Sequence, residues 1–249
     1  MKARLRRSLF GKKEPVKPIP RERFRVGRDY TLYLPFGYPT YSPWFEDWFQ
    51  EIYIKIACAR DYTIVTEDRC YIIYKLCHHC LHLEGDFAEC GVYKGGTAFF
   101  IAYALRNNSI QGKSLHLFDT FTGLPSVSDK DPSGHKKGMF GDVSLGDVKY
   151  YLRRFPFVVF HPGIIPETFE AVKDRRFAFV HIDVDLYQTA KDCLSFFYDR
   201  MISGGVIVSD NYGFPRYKFS EKQAVDEFFY DKPESPISLP TGQCIVIKL

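Results

Sequence analysis

The chain has 249 residues, is 45% hydrophobic and 17% aromatic, and carries a formal net charge of +4. That is the size of one α/β domain with an added segment, apolar enough to bury a sizeable core. No apolar run reaches the roughly 18 residues a membrane span needs. Seven cysteines, an odd number spread along the chain, exclude a simple disulfide framework and point to reduced thiols in a cytoplasmic setting.

The first 28 residues hold eleven Lys/Arg and two Glu, a net +9, which leaves −5 for the rest. Met1–Lys13 is basic but no apolar segment of a secretory signal follows it. Residues 1–40, rich in Arg, Lys and Pro, read as an extended arm. The arm is a candidate for peripheral contact with an acidic membrane surface, the alternative being a solvated terminus. Residues 41–84 read as a helical extension. Ser42 and Pro43 suit a helix start, and Phe45, Trp48, Phe49, Ile52 and Ile56 form an apolar stripe at helical spacing. A second helix is predicted from Thr66 to about Leu81, with Glu67 and Asp68 placed to favour its dipole.

From Gly85 to the end, strands and helices alternate. Strands are predicted at 86–92, 114–118, 157–160, 177–182, 205–209 and 243–248. Helices are predicted at 97–105, 145–154, 186–201 and 221–230. The alternation predicts a doubly wound, mostly parallel, Rossmann-like sheet, in which ligands bind beyond the carboxyl ends of the strands.

Chemistry-bearing residues gather at those ends. The loop ECGVYKGGT, Glu89 to Thr97, joins the first strand to a helix. Three residues separate Gly91 from Gly95, so this is not the dinucleotide fingerprint. An acid beside the loop, Glu89, suits a cationic ligand such as the sulfonium of S-adenosylmethionine. Asp119, ending the second strand, is placed to accept hydrogen bonds from a ribose, or to form a turn. Asp183 ends the fourth strand, with Asp210 and Asn211 at the end of the fifth. Neighbouring strand ends lie about 5 Å apart, so these three can converge on Mg²⁺ or another hard divalent cation. A hydroxyl bound to such an ion gives up its proton more readily. The plainer alternative is turn-forming Asp and Asn.

Taken together, GDFAECGVYKGG (85–96), LFDTFTGLP (117–125), GIIPETF (163–169), HIDVDLY (181–187), GGVIVSDNYG (204–213) and QAVDEF (223–228) resemble the macrocin O-methyltransferase (TylF/MycF-type) family of class I methyltransferases. The resemblance spans about residues 62 to 230. It implies a seven-stranded methyltransferase domain over 85–249 and methylation of a sugar hydroxyl in a natural product or surface glycan, with S-adenosylmethionine and Mg²⁺. It implies cofactor contacts at Glu89, Gly91, Gly95, Thr97 and Asp119, and metal ligands at Asp183, Asp210 and Asn211. The family usually has Asp-Asp where this chain has Asp210-Asn211. An Asp-Asn pair is similar to the catechol O-methyltransferases, but their Lys base falls here on Leu186. Asp185 is therefore the candidate base, or else a residue that orients the site.

The polar loop 129–141 is predicted to lie over the site, with His135 able to reach the acceptor and Asp142 and Ser144 able to reach the adenine. His181 reads as a core or site-edge histidine. Cys77 and Cys80, on one apolar helix face, read as core rather than zinc ligands. Tyr30, Tyr33, Tyr38, Tyr41 and Trp44 can stack on a sugar ring or on a second copy of the chain. Two rival functions remain: a nicotinamide-dependent oxidoreductase and a non-catalytic S-adenosylmethionine-binding scaffold. The expected partner is a small-molecule or glycan acceptor and not nucleic acid.

Overall fold

The computed structural model describes residues 23–25, 31–33, 41–58, 61–106 and 112–249. The chain divides into two compact units, Met1–Tyr41 and Ser42–Leu249. In the first, β1 (Arg23–Arg25) pairs antiparallel with β2 (Thr31–Tyr33). Tyr30, Tyr38 and most of the basic residues of the arm lie outside the described residues.

The second unit is built on a seven-stranded sheet flanked by helices. Its strands are β3 (Asp86–Cys90), β4 (Leu115–Asp119), β5 (Val158–Pro162), β6 (Phe177–Ile182), β7 (Met201–Ser209), β8 (Ile237–Ser238) and β9 (Cys244–Ile247). They are ordered β5-β4-β3-β6-β7-β9-β8. The first five are parallel, and β9 runs antiparallel between β7 and β8. The chain order reverses at β3, so the crevice between the ends of β3 and β6 is the topological switch point.

Side chains alternate across the sheet with the period of two that a strand imposes. Phe87, Leu115, Leu117, Phe179, Val206 and Val208 face α2 (Glu67–Cys80), α3 (Gly96–Leu105) and α4 (Leu145–Leu152). Ala88, Cys90, Phe118, Val180, Ile182 and Ile207 face α5 (Tyr187–Tyr198) and α6 (Glu221–Phe229). Both faces are covered, which is why the central strands read as continuous apolar runs rather than alternating ones. Cys77 and Cys80 lie on the buried face of α2, inside the first of these cores. Among the described residues, no helix is long and apolar enough to cross a membrane.

Two elements differ from the periodicity reading. The helix expected from Ser42 is a 3-10 turn, Pro43–Phe45, followed by α1 (Asp47–Tyr53) and a π turn, Ile54–Cys58. Glu46 is extended (ψ 137) and breaks the run, so Phe45 turns outward, 62% exposed, while Phe49 and Ile56 stay in the core. Met201 ends no helix; it opens β7 beside Phe177. A register shift follows it, and Gly204 takes a left-handed φ of 79 there.

A histidine pair on the sheet gives the fold a pH dependence. His161 Nε2 lies 2.9 Å from His116 Nδ1, and its ring stacks on Phe118 at 4.5 Å. Burial, reinforced by His116, lowers the His161 pKa to about 4. An unfolded histidine titrates near about 6.5, so in that window the unfolded chain binds the extra proton. Stability from this group is complete above the upper limit and falls as pH drops toward 4. The melting temperature is expected to be lower at pH 5 than at pH 7, and part of that fall should vanish in His161→Phe, which keeps the stack. An unchanged pH profile in the variant would contradict this assignment.

Candidate active site

At the switch point a cavity of about 290 Å³ opens. Its lining joins the β3–α3 loop (Gly91, Val92, Tyr93, Gly96, Thr97), the β4 end (Asp119, Thr120) and the ends of β6 and β7 (Asp183, Asp185, Asp210, Asn211). The approach to α2 (Tyr62, Thr63, Ile64, Val65, Arg69) and the turn after β7 (Phe214, Arg216, Tyr217) complete it.

The glycines of the loop serve the chain's own packing. A Cβ on Gly91 would stand 1.8 Å from the Asp183 carbonyl oxygen, and one on Gly96 would stand 2.6 Å from the Tyr62 carbonyl oxygen. Gly91 has φ +84, a conformation that favours glycine. Their absence of side chain lets β3 end hard against β6, and α3 hard against the segment before α2. Gly91 also lines the cavity, whereas Gly95, the left-handed N-cap of α3, packs on Val148.

Asp119 lines the cavity as a loop organiser. Its Oδ2 accepts from the Val92 and Tyr93 amides at 2.7 and 2.9 Å, and its Oδ1 from the Phe121 amide at 2.7 Å. Thr97 is a wall residue. Asp142 stands beyond the lining, exposed, paired with Lys94 at 2.9 Å and with the Tyr93 hydroxyl at 2.9 Å. Ser144 caps α4 by accepting from the Asp147 amide.

Beneath the cavity runs a buried chain of alternating charge. Glu89 and His181 are register partners on β3 and β6, both fully buried. His181 Nδ1 lies 2.9 Å from Glu89 Oε1, and its Nε2 lies 3.5 Å from Asp210 Oδ1, an ion-pair separation without a hydrogen bond. Burial disfavours the imidazolium, but Asp210 and Glu89 overcome it and push the His181 pKa up to about 10. Arg69 Nη1 donates to Asp210 Oδ2, and Gln243 Nε2 donates to Asp210 Oδ1 at 2.8 Å. Burial opposes ionisation of Asp210 too, yet His181, Arg69 and Gln243 outweigh it, so its pKa lies below the usual carboxylate value.

Asp183 has no such compensation. Burial and the neighbouring carboxylates of Asp210 and Asp185 push its pKa well up. Asn211 Nδ2 donates to Asp183 Oδ1 at 2.9 Å and to Asp185 Oδ1 at 3.1 Å. Ligand atoms of His181, Asp183 and Asp210 come within 4.8 Å of one another. His181 is engaged by Glu89 and faces Asp210, and a hard cation prefers oxygen ligands. Asp183 and Asp210 are therefore the groups that fit a hard cation, with the Asn211 amide oxygen available if the amide turns over. Crowding of Asp183 by the carboxylates of Asp210 and Asp185 disfavours its ionised form, and a cation among the three would favour that form instead.

Asp185 adopts φ +63, a region that Asp tolerates better than most residues. The tight turn it makes, with the Leu186 amide donating to the Val184 carbonyl at 2.7 Å, turns its carboxylate into the cavity beside Asn211. His135 lies behind it rather than in the lining: Nε2 is 3.7 Å from Asp185 Oδ2, and the ring meets Tyr217 edge-on at 5.9 Å. Both His135 ring nitrogens are buried without a hydrogen bond.

Arg69, Tyr217 and Gln243 escaped the sequence reading. A usable signal existed for Arg69, because a cation in the first turn of a helix opposes the dipole and so needs a tertiary partner. Gln243 carries no local signal, since its partner Asp210 is 33 residues away.

The chain is similar to known proteins. Residues 59–234 match the family model described as macrocin-O-methyltransferase (TylF). The chain is 28% identical over 140 residues to the 8-demethyl-8-(2,3-dimethoxy-alpha-L-rhamnosyl)-tetracenomycin-C 4'-O-methyltransferase of Streptomyces olivaceus, covering 52% of this chain and 54% of that one. It is 27% identical over 168 residues to the mycinamicin III 3''-O-methyltransferase of Micromonospora griseorubida, covering 60% and 65%. These matches thus span between half and two thirds of the curated relatives' lengths. The fold is similar to that of the O-methyltransferase NovP, with a TM-score of 0.67 at 23% identity over 76% of this chain and 83% of that one.

Because His181 is the charged partner of the fully buried Glu89, removing it strands that carboxylate, while Asp210 keeps Arg69 and Gln243. His181→Leu is expected to cost about 3–5 kcal/mol of folding free energy, as for other broken buried pairs. Urea denaturation measures it, and a loss below about 1 kcal/mol, the level of an exposed pair, would refute the charge chain.

Proposed function

The chain belongs to the macrocin O-methyltransferase family, and from that premise we propose that it transfers the methyl group of S-adenosylmethionine to a sugar hydroxyl, aided by Mg²⁺ or another hard divalent cation. The observation that carries this reading is the single cavity in which Gly91, Thr97 and Asp119 share walls with Asp183, Asp210 and Asn211. A nucleoside-binding end and an acidic end lie next to each other there, as an in-line transfer requires. A sugar as acceptor is supported by the rhamnosyl-tetracenomycin relative, a 4'-O-methyltransferase of a sugar-bearing substrate.

When bound, the cofactor supplies an electrophilic sulfonium methyl, and an ion held by Asp183, Asp210 and Asn211 eases ionisation of the acceptor hydroxyl. Thr97 and the loop amides organised by Asp119 form the cofactor wall. Glu89, buried below that wall, holds His181. Asp185, aimed by its left-handed turn, accepts the hydroxyl proton. Tyr217 and Arg216 close the acceptor side, and the covering wall keeps water away from the reacting groups.

The test is methyl transfer from labelled cofactor to a panel of nucleotide-sugars and glycans, with and without chelator. Transfer that needs a divalent ion is expected. Asp183→Ala should abolish transfer while cofactor binding by calorimetry stays within a few-fold. Asp185→Asn should lower kcat by about 10²–10⁴, the range of a lost general base, with KM little changed. Binding of a nicotinamide nucleotide with no affinity for S-adenosylmethionine would overturn the reading.

A further inference from the structure

The Asp210 carboxylate is saturated by the protein itself. One oxygen takes the Arg69 guanidinium; the other takes Gln243 Nε2 at 2.8 Å and faces His181 Nε2 at 3.5 Å. A divalent ion that takes Asp210 as a ligand has to compete with these donors. Gln243 is fully buried, and its amide also approaches the Arg69 carbonyl at 3.5 Å. His181 is fixed by Glu89. Arg69 is different. Its side chain is 11% exposed, it lines the cavity, and its guanidinium lies 5.2 Å from the ring centre of Phe214, another lining residue. Of the three partners, it alone sits on a long flexible stem with solvent to move into.

We propose that Arg69 and the divalent ion are alternative counter-charges for Asp210, so that the guanidinium must leave Asp210 before the ion binds and Arg69 thereby sets the ion affinity of the site. The proposal rests on the metal-aided reading above. Charge supports it. The ion and a guanidinium on one carboxylate repel strongly at close range in a poorly solvated cavity. Without the ion, the guanidinium keeps the acidic strand ends from facing one another uncompensated. The contact also ties ion binding to the start of α2, whose preceding residues Tyr62 to Val65 form part of the same cavity wall. Withdrawal of Arg69 is therefore coupled to the segment that frames the nucleoside end.

The test is Mn²⁺ titration of the full chain without cofactor, followed by electron paramagnetic resonance of the free ion, a readout independent of turnover. Arg69→Met and Arg69→Gln, both neutral, are expected to bind Mn²⁺ about tenfold more tightly than the wild type, as expected when a neighbouring positive charge is lost. Equal or weaker binding by variants that melt cooperatively overturns the proposal and makes Arg69 a brace that holds Asp210 for the ion. If neither the wild type nor either variant binds Mn²⁺, the metal-aided reading itself fails, and this proposal with it. Should the variants not fold, the wild type decides the matter by NMR of ¹⁵N-labelled arginine. The Arg69 Nε–H signal is expected to shift and exchange faster with solvent on saturation with Mg²⁺, and a signal unmoved at saturation overturns the proposal.

Discussion

Much of the molecule hangs on one electrostatic requirement: carboxylates gathered at strand ends must be neutralised where water cannot do it. An isolated buried carboxylate is costly, and the cost falls only when charges of opposite sign alternate at close range. Glu89, His181, Asp210 and Arg69 make that alternation across three strands and a helix. The strand order places β6 between β3 and β7, which puts His181 between its two acids. The same adjacency brings Asp183 to the cavity wall without a cation of its own.

The helical extension is consequently part of the site. Phe49 is fully buried and stacks on Phe100 of α3 at 5.3 Å, and the carbonyl before α2, that of Val65, accepts from the Tyr53 hydroxyl at 3.0 Å. These contacts fix where α2 begins and hence where Arg69 points. The Gly96 contact with Tyr62 and Thr63 then sets how closely the extension approaches the loop. Burial of apolar surface in the extension and the electrostatics of the strand ends are two aspects of one arrangement.

Much of the fold was legible because a doubly wound sheet writes itself in local patterns. The runs 86–90, 177–182 and 244–247 are short, rich in apolar residues and bounded by turns or polar residues, and they fold as β3, β6 and β9. Where the reading slipped, long-range packing overrode periodicity. Phe45 has helical spacing but follows no continuous helix, and Met201 fits the α5 stripe but pairs with Phe177. The two-residue strand β8 is too short to carry a pattern and exists because β9 offers it an edge.

The sequence by itself determined the chemical inventory: an acidic residue on either side of the loop at 91–96, two aspartates and an asparagine at successive strand ends, and a chain order that brings those ends to one crevice. Strand period and loop composition are local properties, so a linear reading reaches them. Only the tertiary structure decided the pairing of His181 with two carboxylates, the left-handed aim of Asp185, the place of His135 behind that carboxylate, and the meeting of Arg69 and Gln243 on Asp210. Each depends on distance between residues far apart in the chain, and electrostatic energy follows distance in space and not separation in sequence.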